Sequence, residues 1–191
     1  MKKNIVMLLL CLLPLTLPAA EIEGVKLTEK VRLSEAGPDL VLNGAGVRTR
    51  FVFKVYVGAL YLQQKQNAPN AVLSDAGAKR VLLHMLREVS SDQLFSALND
   101  GLKDNHTSDQ LSKIETQIRE FEAIFKKVGT AKTGDVLLLD YLPGPSPGTR
   151  VTVNGEIKGS INGAAFFTAL LRVWLGEKPA EASLKSALLG V

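Results

Sequence analysis

Residues 51–62 read FVFKVYVGALYL, with Lys54 the only charge. β-Branched and aromatic residues dominate this run, and its length predicts one long central strand. Alternation assigns Phe51, Phe53, Val55, Val57, Ala59 and Tyr61 to one face, and Val52, Lys54, Tyr56, Gly58, Leu60 and Leu62 to the other. The first face reads as core. The second is apolar yet carries a cation and a phenol, a mixture suited to an enclosed cleft. Before the run, Asn43-Gly44-Ala45-Gly46 predicts a glycine-bearing turn that leads through Arg48, Thr49 and Arg50 into the strand.

The remaining elements follow from periodicity and punctuation. Residues 21–27 predict a short edge strand, 34–39 a turn into 40–42, and 63–78 a polar connection with one helical turn at 68–74. Residues 80–87 (RVLLHMLR) predict a second buried strand with His84 as a core residue. Ser90 or Ser91 caps a helix whose Leu94, Leu98 and Leu102 share a face. A second helix starts at Ser108 or Asp109 and carries Leu111, Ile114, Ile118, Phe121, Phe125 and Val128 at three- and four-residue steps, so one face packs on a sheet. Strands at 135–142 and 149–153 flank PGPSPG, and Asn154-Gly155 makes a tight hairpin into 156–161. The pattern from Phe166 to Leu175 is helical, Gly176 ends it, and Pro179 opens a last helix over 180–189. Strands, two helices, strands and two helices in that order predict an α+β fold: an antiparallel β-sheet with helices layered on one face.

The first twenty residues change the picture of the whole. Lys2 and Lys3 precede an apolar run over 5–17, and Ala19 and Ala20 follow. This is the pattern of a secretory signal peptide cut after Ala19 or Ala20, with residues 21–191 as a single domain in the periplasm or outside the cell. Pro14, Pro18 and the shortness of the run argue against a retained anchor, and no later segment is long enough to span a bilayer as a helix. Cys11 lies inside the leader, so the mature chain has no thiol and relies on its core. The chain has 23 basic and 19 acidic residues; without Lys2 and Lys3 the formal charge falls from +4 to +2, too little for a nucleic-acid surface.

Few chemical motifs survive inspection. Gly144-Pro145-Ser146-Pro147-Gly148 matches GxSxG, but prolines flank the serine and a strand follows where a nucleophile elbow needs a helix. Gly44-Ala45-Gly46 starts like a dinucleotide fingerprint, yet Thr49 stands at the third glycine position and a strand follows. His84 and His106 are far apart and no cysteine remains, so neither metal nor cofactor is expected. Asn105-His106-Thr107 is a glycosylation triplet that matters only in a secretory eukaryotic host. Arg48 and Tyr56 remain, either as a solvated turn residue and a core phenol or as polar anchors of an apolar pocket.

GAGVR at 44–48, FKVYVGALYL at 53–62, LREVSSDQL at 86–94 and LLRVWLGEKP at 170–179, in this order, resemble the chalcone isomerase family in its secreted bacterial branch. The resemblance implies an antiparallel sheet, a layer of helices and a ligand cleft between them. That family contains plant enzymes that cyclise chalcones by intramolecular Michael addition without a cofactor, and relatives that bind fatty acids. Arg48 matches the arginine of the ligand cleft in both groups. Tyr56 stands where the enzymes carry a threonine and resembles the fatty-acid binders. Leu94, Gly101 and Val173 fall where the enzymes place a tyrosine, an asparagine and a hydroxyl residue. The resemblance therefore implies a binding protein without chalcone isomerase activity, holding a small hydrophobic carboxylate such as a fatty acid, with Arg48 as cation, Tyr56 as donor, and Leu94 and Val173 as lining. A cofactor-independent isomerase acting on a chalcone-like enone, with Arg48 and Tyr56 catalytic, is the alternative. A structural or interaction domain with a filled cleft, Trp174 among its packing residues, is the third reading. Two geometric requirements attach to the site. On one straight strand Arg48 and Tyr56 would lie roughly 26 Å apart, too far to share a carboxylate. A partly buried guanidinium also needs a nearby acid or rim hydration when no ligand is present.

Overall fold

The computed structural model of the protein describes residues 18–191. The expected leader lies outside the described residues, except that Pro18, Ala19 and Ala20 open the first strand. In chain order the elements begin with β1 (Pro18–Ile22), β2 (Val25–Thr28), β3 (Lys30–Arg32), β4 (Asp39–Arg50) and β5 (Phe53–Leu62). After α1 (Pro69–Ser74) and β6 (Lys79–Met85), a short β7 (Val89–Ser90) leads into α2 (Ser91–Asn105), α3 (Ser108–Ser112) and α4 (Glu115–Val128). Then come β8 (Thr130–Ala131), β9 (Val136–Leu142), β10 (Gly148–Val153), β11 (Glu156–Asn162), α5 (Ala164–Leu175) and α6 (Ala182–Leu189). Seven strands form one antiparallel sheet in the order β11-β10-β9-β6-β5-β4-β3. The helices pack on one face of it, which is the α+β architecture expected.

The run at 51–62 is not a single strand. Phe51 and Val52 form a turn, and the glycine-bearing stretch expected as a turn lies within β4, with Gly44, Ala45 and Gly46 paired with β5 and Asn43 at a bulge. The glycines serve close packing there. A Cβ on Gly44 would sit 2.1 Å from the carbonyl oxygen of Ala187, and one on Gly46 would sit 2.6 Å from the Ala187 Cβ, so their absence lets α6 lie against β4. The alternation holds in β5 from Tyr56 onward: Tyr56, Leu60 and Leu62 join the helix-side core, whereas Val57, Ala59 and Tyr61 join a second core on the opposite face, and Val55, expected with Val57, packs on the helix side because of a bulge. Residues 51–54 are exposed, and the face expected as a cleft is packed.

Three further expectations are corrected. The edge strand at 21–27 is instead the β1–β2 hairpin, turned by Glu23 (φ 52°) and Gly24 (φ 76°). Its Val25 and Leu27 cover Leu40, Leu42, Val57 and Tyr61, because a two-faced apolar sheet needs a lid on the side the helices leave open. The helix expected over 108–128 is broken into α3 and α4 at Ile114, whose φ of −121° and ψ of 16° leave the helical path and bury its side chain. His84, expected in the core, is half-buried.

Locally specified features match their signals. Ser90 caps α2 in a reciprocal capping box with Gln93. Asn154 (φ 50°) and Gly155 (φ 83°) both take positive φ in the β10–β11 turn, as a two-residue hairpin of this type requires. Across the face away from the helices, Arg80, Asp140 and Arg150 are register neighbours on β6, β9 and β10. Arg80 donates from Nε to Oδ1 of Asp140 at 2.6 Å and from Nη2 to Oδ2 at 2.8 Å, and Arg150 Nη2 adds a bond to Oδ2 at 2.9 Å. Asp140 is fully buried between them. Among the described residues no helix is long and apolar enough to cross a membrane.

Candidate ligand-binding site

Strand pairing removes the distance problem between Arg48 and Tyr56. The turn at Phe51 and Val52 folds β5 back on β4, and a bulge at Val55 brings Arg48 directly opposite Tyr56. Side chains so paired start about 5 Å apart on one face of the sheet. Here that face is the one covered by helices, since Tyr56 belongs to the helix-side core.

Of the two expected ways to satisfy a half-buried Arg48, the structure has the acid: Glu181, the N-cap residue of α6. Arg48 donates from Nη1 to Glu181 Oε2 at 3.0 Å and also to the Thr49 carbonyl oxygen. Glu181 Oε2 accepts the Thr49 backbone N–H at 2.7 Å, and Oε1 accepts the Ser183 hydroxyl at 2.7 Å. The two side chains are 22% and 23% exposed, so the pair sits at a rim, neither dry nor free. Burial pushes the Glu181 carboxyl upward, but the Thr49 N–H, the Ser183 hydroxyl and Arg48 together outweigh it and hold the group below the ordinary glutamate range. No motif in the sequence marks Glu181. It reaches the site only because the β4 glycines seat α6.

Tyr56 is turned inward. Its hydroxyl oxygen accepts the Trp174 indole Nε1–H at 2.9 Å, deep between β5 and α5. Burial pushes the phenol up to about 12 from 10, against the opposing effects of the Trp174 bond and the Arg48 charge. The unfolded phenol ionises near pH 10 and the folded one near 12, so the stabilisation is complete below pH 10 and is lost as pH rises towards 12. Between pH 8 and 11 the protein should lose about 1–2 kcal/mol that Tyr56→Phe does not lose, measured by urea unfolding at each pH. A variant with the wild-type alkaline profile would show that Tyr56 is not buried as described.

Leu94 and Val173 are both buried, on α2 and α5. Val173 packs against Gly101, where a Cβ would meet Val173 Cγ1 at 2.7 Å. Gly101 and Val173 thus form an apolar contact between α2 and α5. Two cavities lie elsewhere. One of about 430 Å³ is bordered by Ile22, Glu29, Asn43 and Lys65, and neither Arg48, Tyr56, Leu94 nor Val173 lines it. The other, about 200 Å³, is walled by Leu73, Phe167 and Leu171 and holds the buried ammonium of Lys79, which sits 3.1 Å from Asp75 and 5.4 Å from the Tyr141 ring centroid. Among the described residues, no group of three or more His, Cys, Asp or Glu side chains could hold a metal ion.

Comparison with known proteins agrees with this architecture. A fatty-acid binding protein of Arabidopsis thaliana, known from its crystal structure, superposes with a TM-score of 0.60 at 15% identity, over 84% of this chain and 96% of that one. At that identity the likeness is one of fold. No curated protein sequence matches. The model of the chalcone isomerase-like family matches residues 19–190, which takes in both strands of the Arg48–Tyr56 pair and the helix that brings Glu181. On a match of that extent, the chain belongs to the chalcone isomerase-like family.

Proposed function

We propose that the protein is a non-catalytic binding protein of the secreted bacterial branch, holding a hydrophobic carboxylate of the fatty-acid kind. The observation that carries this reading is the Arg48–Glu181 contact at 3.0 Å beside Tyr56: the site already binds a carboxylate, its own. A ligand carboxylate takes the place of Glu181 on Arg48 and the Thr49 N–H, and its tail enters the apolar layer between β5 and the helices as Leu94, Val173 and Trp174 yield. The plant fatty-acid binding protein of like fold supports the class of ligand. The leader-like composition of residues 1–20 supports export, and the mass of the mature N-terminus tests it. An enzyme reading gains no support, because Leu94, Gly101 and Val173 supply no side-chain hydrogen-bond donor.

Titration with a fluorescent fatty acid tests the site. Arg48→Met should weaken binding by tenfold or more, since it removes a charge-assisted bond worth roughly 1.5–3 kcal/mol. Glu181→Gln should tighten it, because no internal anion then competes for Arg48. Arg48→Lys should fall between wild type and Arg48→Met, having the charge without the planar fork. Equal binding by wild type and Arg48→Met, or no change on Glu181→Gln, overturns the assignment. A filled structural cleft is the second reading, favoured by the Trp174–Tyr56 bond and by the burial of Leu94 and Val173. Under it no variant binds and no lipid is extracted from the purified protein.

A further inference from the structure

The tip of the β4–β5 hairpin is built against local rules. Phe51 is 89% exposed, Val52 83% and Phe53 57%, three consecutive apolar side chains at the turn between two strands. Scattered exposed apolar residues are ordinary, but a contiguous group marks an interaction site. Phe51 also takes φ 56°, a left-handed conformation that asparagine or glycine accepts at little cost and a bulky residue does not. A strained phenylalanine pointing at water adds nothing to the fold, so its reason lies outside the fold.

Cations surround the tip. The Arg50 guanidinium lies 5.9 Å from the Phe51 ring centroid, and that of Arg87, beyond the end of β6, lies 5.1 Å from the Phe53 ring. Neither arginine has a carboxylate partner among the described residues, whereas Lys54 is paired with Glu23 at 2.8 Å, and Glu88 is exposed beside Arg87. Rings with adjoining guanidinium groups suit the boundary between lipid headgroups and acyl chains, where an apolar body and a charged end are both satisfied. Three side chains on a protrusion present far less area than the ~800 Å² per partner of a stable protein interface. We infer that this tip is a membrane-interface anchor, seating Phe51, Val52 and Phe53 among the headgroups of an anionic bilayer while Arg50 and Arg87 meet lipid phosphates. Its position sets Arg48 two residues along β4 from the lipid surface.

Vesicle sedimentation tests the anchor on the full chain as its host expresses and processes it, checked for folding by circular dichroism. The probes are vesicles of phosphatidylcholine with 30% phosphatidylglycerol and vesicles of phosphatidylcholine alone. Wild type should partition onto the anionic vesicles, and less so in high salt. Phe51→Asn combined with Phe53→Ser should lower the partition coefficient at least about tenfold. Arg50→Gln combined with Arg87→Gln should abolish the preference for anionic over neutral vesicles. Phe51→Asn alone should raise the melting temperature by about 2–4 °C by relieving the left-handed strain, so that its loss of binding cannot be loss of folding. No preference of wild type for anionic vesicles, or undiminished binding by the phenylalanine variant, overturns the inference. So does a lipid-free dimer that the same variant dissociates, which assigns the tip to a second copy of the chain. Vesicle partition requires no ligand at Arg48, so its outcome is independent of the carboxylate titration.

Discussion

Asp140→Asn is expected to destabilise the protein by about 3–5 kcal/mol, the largest loss from any single side-chain charge in the sheet. The substitution is nearly isosteric and preserves part of the hydrogen bonding, so the cost is electrostatic. Asp140 is fully buried with both carboxylate oxygens occupied, and neutralising it leaves Arg80 and Arg150 facing each other with no counter-charge between them. The two arginine side chains are 13% and 20% exposed, so water relieves some of that repulsion and the lower end of the range is expected. For a chain of this size 3 kcal/mol corresponds to a melting point lower by roughly 6–12 °C. Replacing all three residues with apolar ones of similar volume should restore most of the loss, because the desolvation of three charges disappears with them. A melting point for Asp140→Asn within 2 °C of wild type would mean that the row is solvated in solution.

Nothing in the sequence marked that row. Arg80 stands at the edge of an apolar run, Asp140 inside another and Arg150 after a proline-rich loop, and only the strand order places them side by side. Local signals were legible: a serine cap at Ser90 or Ser91, the Asn154-Gly155 turn, and the apolar spacing that makes α2 and α5. The hairpin at Phe51 and Val52 was not, because a turn is read from glycine, asparagine or proline, and this one has a phenylalanine in the left-handed region. The same rule misread Gly44 and Gly46, whose reason is contact with a helix more than 130 residues further on. At the site, the resemblance supplied Arg48 and Tyr56, and the physics of a half-buried guanidinium required an acid or rim hydration without naming a partner. Identifying Glu181 required knowing where α6 lies.

The seat of α6 is therefore the point at which stability and the proposed site can be moved together. Gly44→Ala is expected to cost about 1–3 kcal/mol or more, since the new methyl would lie 2.1 Å from the Ala187 carbonyl oxygen and 2.8 Å from that of Leu188. Both neighbours are backbone, so no side-chain rotation relieves the clash, and either β4 or the end of α6 has to shift. The Asn43 side chain resists that shift by donating to the Leu188 oxygen at 2.7 Å and to the Gln66 oxygen at 2.9 Å. Gly58→Ala is the matched control on the neighbouring strand: its methyl would meet only side-chain carbons, of Tyr56 at 3.4 Å and Leu184 at 3.5 Å, which is ordinary contact. A displaced α6 carries Glu181 away from Arg48 and the Thr49 N–H. Gly44→Ala should thus be less stable than Gly58→Ala in urea unfolding and yet bind a fluorescent fatty acid more tightly than wild type, as Glu181→Gln should. Equal stability of the two glycine variants would show that α6 is not pressed against β4. Lower stability without tighter binding would show that Glu181 does not compete for Arg48.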